Sequence, residues 1–167
     1  MTERLRFALD QNFPPFVLDV AEYFPNTELK PLFKIEPRLC DLDDRRLIIY
    51  LHQAGWHGLI SNNYRMLWVP PEIAAIVKAR IAVFAIEGLG DDPLRATGSV
   101  LLHLPAVLKR VTPGKAQVFR TGKPRSPQPD DAWQYFEEAA HRRRADVSEL
   151  YEQVKVTDEE LDTPIFE

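Results

Sequence analysis

Arg6-Phe7-Ala8-Leu9-Asp10-Gln11-Asn12 is the stretch on which the reading of this chain turns. Three apolar residues run straight into an aspartate, and Pro14 and Pro15 forbid a smooth continuation. That pattern predicts a short buried strand, Leu5 to Leu9, which releases a carboxylate at its carboxyl end. Such a strand holds Asp10 rigidly, and its carboxyl end opens onto a crevice, as suits a metal ligand. Asp10 also suits the plainer role of a helix cap after the turn. Partners for it decide between the two.

Working outward, Pro14 and Pro15 open a predicted helix over Phe16 to Tyr23, and Pro25-Asn26 closes it. Leu29 to Ile35 is rich in apolar residues and is expected to form a second strand. Asp41-Leu42-Asp43-Asp44 starts the clearest helix: an aspartate can cap it, and Leu47, Ile48, Leu51 and Ala54 recur at helical spacing. Gly55 stops it. Trp56 to Ser61 is expected as a third strand, and Pro70-Pro71 opens a helix through Ala79. Ile81 to Ile86 (IAVFAI) is an uninterrupted apolar run of the kind found in a fully buried central strand. Asp91-Asp92 then begins a helix to about Arg110, interrupted by Pro105.

Alternation of strands and helices with short connections implies an α/β fold, a three-layer parallel sheet flanked by helices, Rossmann-like in type. This domain is expected over 1–111. Residues 112–167 read as an edge strand at Ala116 to Arg120, a proline-rich basic linker (GKPRSPQP), and one amphipathic helix from Asp130 to Val154.

The formal net charge is −4. Residues 1–111 balance 13 basic against 13 acidic side chains, while 112–167 carry 8 against 12. A chain of this balance is no generic nucleic-acid binder, so any polyanion contact needs a local basic strip. Lys115, Arg120, Lys123 and Arg125 supply one, with Arg142 to Arg144 as a second run that equally suits a solvated helix face. Phe119 or Trp133 could stack bases of single-stranded RNA. No apolar run reaches membrane-spanning length, and Met1 to Arg6 carries no signal-type stretch. With Cys40 as the one cysteine, a cytoplasmic location without disulfides is expected. Cys40, His52 and His57 show no zinc-site spacing.

In a parallel sheet the loops at the carboxyl strand ends share one crevice. Asp10, Asn62, Asn63, Glu87, Asp91 and Asp92 each fall just past a predicted strand, and Asp43 or Asp44 could face the same place. Converging carboxylates repel one another and favour a hard cation, magnesium or manganese, able to activate water against a phosphodiester. Asp41, Asp43, Asp44, Asp91 and Asp92 also suit helix starts, and Asn62-Asn63 suit a turn.

The order FALDQN at 7–12, DLDDRRLIIYLHQAGWHGLISNNYRML at 41–67 and IAVFAI at 81–86 resembles the PIN-like fold, above all the small PIN-like proteins grouped with bacterial toxin–antitoxin ribonucleases. The resemblance covers roughly Leu5 to Arg110. It implies that Asp10 is the first ligand of a magnesium or manganese ion and that Asp43 or Asp44 supplies the helix carboxylate, with Asp91 as a further candidate ligand. It implies a ribonuclease that hydrolyses RNA phosphodiesters, with a toxin role and an antitoxin partner as one setting for it. The chain departs from the family where the strand usually ends in an aspartate, because Ser61-Asn62-Asn63 stands there. A neutral amide at Asn63 binds magnesium more weakly than a carboxylate. The alternative is therefore a catalytically impaired PIN-like module that binds RNA or a protein partner. A third reading is an unrelated α/β domain in which these acids are only caps. The amphipathic tail helix could pack on the core or form a homodimer.

Overall fold

Phe7 and Leu9 turn to one side of the first strand and Ala8 to the other, and all three are buried. A strand apolar on both faces needs covering layers on both faces, and the computed structural model supplies them. It describes residues 4–11, 13, 23–87, 92–121, 131–159 and 164. The predicted helix over Phe16 to Tyr23, Asn12, Asp91 and the linker with Lys123 and Arg125 lie outside the described residues, Tyr23 excepted.

Five strands, β1 (Leu5–Leu9), β2 (Thr27–Pro31), β3 (Gly58–Ser61), β4 (Ala82–Ile86) and β5 (Gln117–Thr121), form one sheet in the order β2-β1-β3-β4-β5. Every pairing is parallel. Helices α1 (Leu32–Ile35), α2 (Asp44–Gln53), α3 (Pro70–Ala79) and α4 (Pro93–Leu108) complete an α/β sandwich. One core packs Phe7, Leu9, Ile60, Phe84 and Ile86 against α4 through Ala96, Val100 and Leu104. The other packs Ala8, Leu59, Val83 and Ala85 against α2 and α3 through Leu47, Ile48, Leu51 and Ile76.

The chain leaves β1 toward β2 and leaves β3 toward β4, so the sheet order reverses between β1 and β3. The crevice beyond their carboxyl ends is where ligands bind in open parallel sheets. The steps β3 to β4 and β4 to β5 run the same way, yet α3 and α4 lie on opposite faces. Those two crossovers have opposite hands, and one of them is the form seen in only about 2% of parallel crossovers. As a result Val118 and Arg120 of β5 are exposed.

Local rules account for the ends of α2. Asp43 caps its start, its Oδ1 accepting from Arg46 N at 2.8 Å. Gly55, at φ 73°, closes it: Trp56 N–H donates to Leu51 O and Gly55 N–H to His52 O. Arg6 fastens this junction to the sheet, bonding Glu28 at 2.9 Å and Ala54 O at 3.1 Å, with its guanidinium 4.4 Å from the Trp56 ring centre.

Three expectations change. The helix expected to be interrupted at Pro105 runs through it as one element, α4. The strand expected over Leu29 to Ile35 lies earlier, at Thr27–Pro31, and α1 follows, because Pro31 has no N–H to extend a ladder and Leu32 turns into the core. The single helix over Asp130 to Val154 is two, α5 (Ala132–Arg142) and α6 (Val147–Val154). Arg144 adopts a left-handed φ of 56°, Ala145 N–H donates back to Ala140 O, and Asp146 caps α6 with its side chain. The chain divides into two compact units, 1–124 and 125–167. In the second, Trp133, Phe136 and Tyr151 form an aromatic cluster with ring centres 5.1–5.4 Å apart. Among the described residues no helix is long and apolar enough to cross a membrane.

Candidate functional site

Asp10 continues the β1–β3 ladder by one residue, its N–H donating to Ile60 O at 3.0 Å. That fixes its backbone, and two short hydrogen bonds fix its carboxylate. Gln11 N–H donates to Oδ1 and the Ser61 hydroxyl to Oδ2, both at 2.7 Å. Ser61 Oγ in turn accepts from Asn63 N–H at 2.9 Å, and Asn63 Nδ2 donates to Asp44 Oδ2 at 2.7 Å. A continuous polar chain thus joins Asp44, at the start of α2, to Asp10, at the end of β1, through the end of β3.

Burial, and then the charge of Asp10, holds the Asp44 carboxyl above its ordinary range, an effect the Asn63 hydrogen bond partly offsets. Glu72, in the first turn of α3, is also raised, by burial and then by the charges of Asp44 and Asp43. Four acids therefore crowd the mouth of the crevice. Asp43 is exposed and uses one oxygen to cap α2, so it contributes charge more than a bound atom.

The other sequence candidates lie elsewhere or have other partners. Glu87 accepts from Arg120 Nη2 at 2.6 Å, and Asp92 caps α4 by accepting from Arg95 N at 3.0 Å. Lys115 precedes β5 and Arg120 lies near its carboxyl end, so only Arg120 shares the carboxyl edge with the crevice. Phe119 packs into the α4-side core, and Trp133 lies in the aromatic cluster of the second unit.

Asn62 is 5% exposed, and among the described residues neither its Oδ1 nor its Nδ2 has a hydrogen-bond partner. Glu72 was not singled out by the sequence; its one signal is its place after Pro70-Pro71, in a first helical turn.

Among the described residues no three carboxylate, imidazole or thiol side chains form a ready-made cage. The donor set nonetheless fits magnesium or manganese: every candidate atom is a hard oxygen, and magnesium commonly takes only one or two carboxylates plus water and substrate phosphate. Asp10 and Asp44 are the two carboxylates that could supply such a pair.

The crowding has a measurable sign. A carboxyl raised in the fold stabilises below its unfolded pKa, about 4, and that stability is lost as pH rises through the folded value. Metal-free Asp44→Asn is therefore expected to melt above the wild type at pH 7, with the difference vanishing below about pH 4. Saturating magnesium should reverse the order at pH 7, because a ligand at 100 times its Kd stabilises the wild type by about 2.7 kcal/mol. Thermal melts with and without magnesium read both effects. No protein-family model, curated protein or solved structure matches this chain, so its own chemistry carries the reading.

Proposed function

We propose that this chain is a magnesium- or manganese-dependent ribonuclease of PIN-like type that hydrolyses RNA phosphodiesters in the crevice beyond β1 and β3. The observation that supports it is the pair Asp10 and Asp44, bridged by Ser61 and Asn63, with burial and then the charge of Asp10 raising the Asp44 carboxyl. A bound cation would supply Lewis-acid polarisation of the phosphate and a more acidic water nucleophile.

The chain's own residues do the rest. Asp10 and Asp44 would hold the ion. Ser61 aims the Asp10 carboxylate, and the Asn63 amide aims that of Asp44. Glu72 adds negative charge at the mouth, which favours a cation there. Such a role belongs in the cytoplasm, where the lone Cys40 stays a thiol.

The direct test is incubation of the full chain with single-stranded RNA. Cleavage should require magnesium or manganese and stop in EDTA; cleavage indifferent to EDTA would overturn the reading. Ser61→Ala, which removes the hydroxyl bonded to Asp10, should lower cleavage and cation affinity about 10–100-fold, the usual cost of losing a group that orients a ligand. Its fold should persist, because only one small side chain changes.

A second reading rests on Asn63, whose side-chain Nδ2 donates to Asp44 Oδ2 where a further carboxylate would strengthen the site. It describes a module that binds RNA and a cation without cleaving. A magnesium-dependent rise in melting temperature without any cleavage would select it.

A further inference from the structure

Trp68 ends the 3-10 turn Tyr64–Trp68, which runs from Asn63 at the crevice to the start of α3. Trp68 is 66% exposed, although Met66 in the same turn is buried. An indole in a core removes on the order of 150–250 Å² from water, so leaving it outside forgoes a large stabilisation. The Arg120 guanidinium lies 5.4 Å from the ring centre and donates to Glu87 at 2.6 Å. Arg120 is thus fixed in place and its charge is balanced.

The register sets this pair beside the carboxylates. Ser61 pairs with Ala85, and Ala85 with Arg120, so at the strand spacing of about 4.8 Å Arg120 lies roughly 10 Å along the sheet from Ser61. Trp68 precedes α3 by two residues, and the first turn of α3 carries Glu72.

We propose that Trp68 and Arg120 form a stacking subsite for an unpaired base of single-stranded RNA, at the edge of the carboxylate crevice. An exposed indole offers a π-face to any base, and a base within a duplex has its faces covered by neighbours. Because Glu87 balances Arg120, stacking carries the contact more than charge does, and the Trp68 contribution should depend only weakly on salt. The inference rests on the reading that the crevice takes RNA, and it names the form of RNA and the residues that grip it.

Binding of a fluorescent single-stranded oligoribonucleotide to the full chain in EDTA tests it without cleavage or cation. Trp68→Ala should weaken binding about 10–100-fold, Trp68→Phe should keep most of it, and the loss should be nearly the same at low and moderate salt. A duplex of the same sequence should compete poorly. Unchanged binding by Trp68→Ala, no binding by the wild type, or equal competition by duplex would each overturn the subsite. So would a change in self-association alone, which would mark the face as a protein interface. If Trp68→Ala binds normally while cleavage still needs Asp10, the subsite falls and the crevice reading stands. If Trp68→Ala loses binding but the wild type cleaves with no divalent ion, the subsite stands and the hydrolytic reading falls.

Discussion

Asp10→Asn is expected to abolish cation-dependent cleavage while leaving the fold intact. The amide has the shape of the carboxylate. Its oxygen can still accept from Gln11 N–H, and its nitrogen can donate to Ser61 Oγ, so the end of β1 keeps its anchors. What it loses is the charge. Removing one orienting neighbour of a bound metal already costs about 10–100-fold, so removing a ligand charge should cost more than about 100-fold in kcat/KM. Loss of that charge also relieves Asp44, whose carboxyl should fall toward its ordinary range. The metal-free variant should therefore melt no lower than the wild type, and magnesium should no longer raise its melting temperature. RNA cleavage assays and thermal melts on the same preparations check both arms. Full cleavage by the variant would show that Asp10 is not a ligand, and a collapsed melt would show that its role is structural.

Gly58→Ala should be the most damaging single methyl group in the sheet. Gly58 lies in β3, between its register partners Phe7 on β1 and Ala82 on β4. A Cβ there would stand 2.3 Å from Phe7 Cε1 and 2.7 Å from Ala82 O. Phe7 is fully buried among Leu9, Ile60 and Phe84, and a carbonyl in a ladder cannot shift alone, so neither neighbour can give way cheaply. Overpacking of this kind costs about 3 kcal/mol, which for a chain of this size lowers the melting temperature by roughly 6–12 °C. Gly98→Ala is the matched control. An added Cβ in α4 meets nothing within 4 Å, so it should stabilise by about 0.5–1 kcal/mol through helix propensity. Equal denaturation midpoints for the two variants would contradict the packing of β3 against β1.

The elements legible in the sequence were those whose signal is local. IAVFAI is buried on both faces because it is apolar on both. The start of α2 at Asp43 and its stop at Gly55 follow from side-chain capping and from a glycine that tolerates positive φ. Pro31 hid the end of β2 because alternation there was weak. Arg144 hid the break between α5 and α6 because arginine seldom takes the left-handed conformation that ends a helix. In the site, Asp10 and Asp44 could be picked out as acids beside predicted elements. Glu72, Trp68 and the Glu87–Arg120 pair could not, since each matters only through a neighbour distant in sequence.

By itself, then, the sequence determined the α/β class and the place of Asp10 at the end of a buried strand, because burial on both strand faces and turn chemistry are properties of a few adjacent residues. Only the tertiary structure decided which acids meet. The order β2-β1-β3-β4-β5 sets the switch between β1 and β3, and the end of β3 there links the start of α2 to the end of β1. It also carried Glu87 away into an ion pair with Arg120. Coulombic repulsion and hydrogen bonding act over a few ångströms, so which acids become a site is settled by the crossings of the chain.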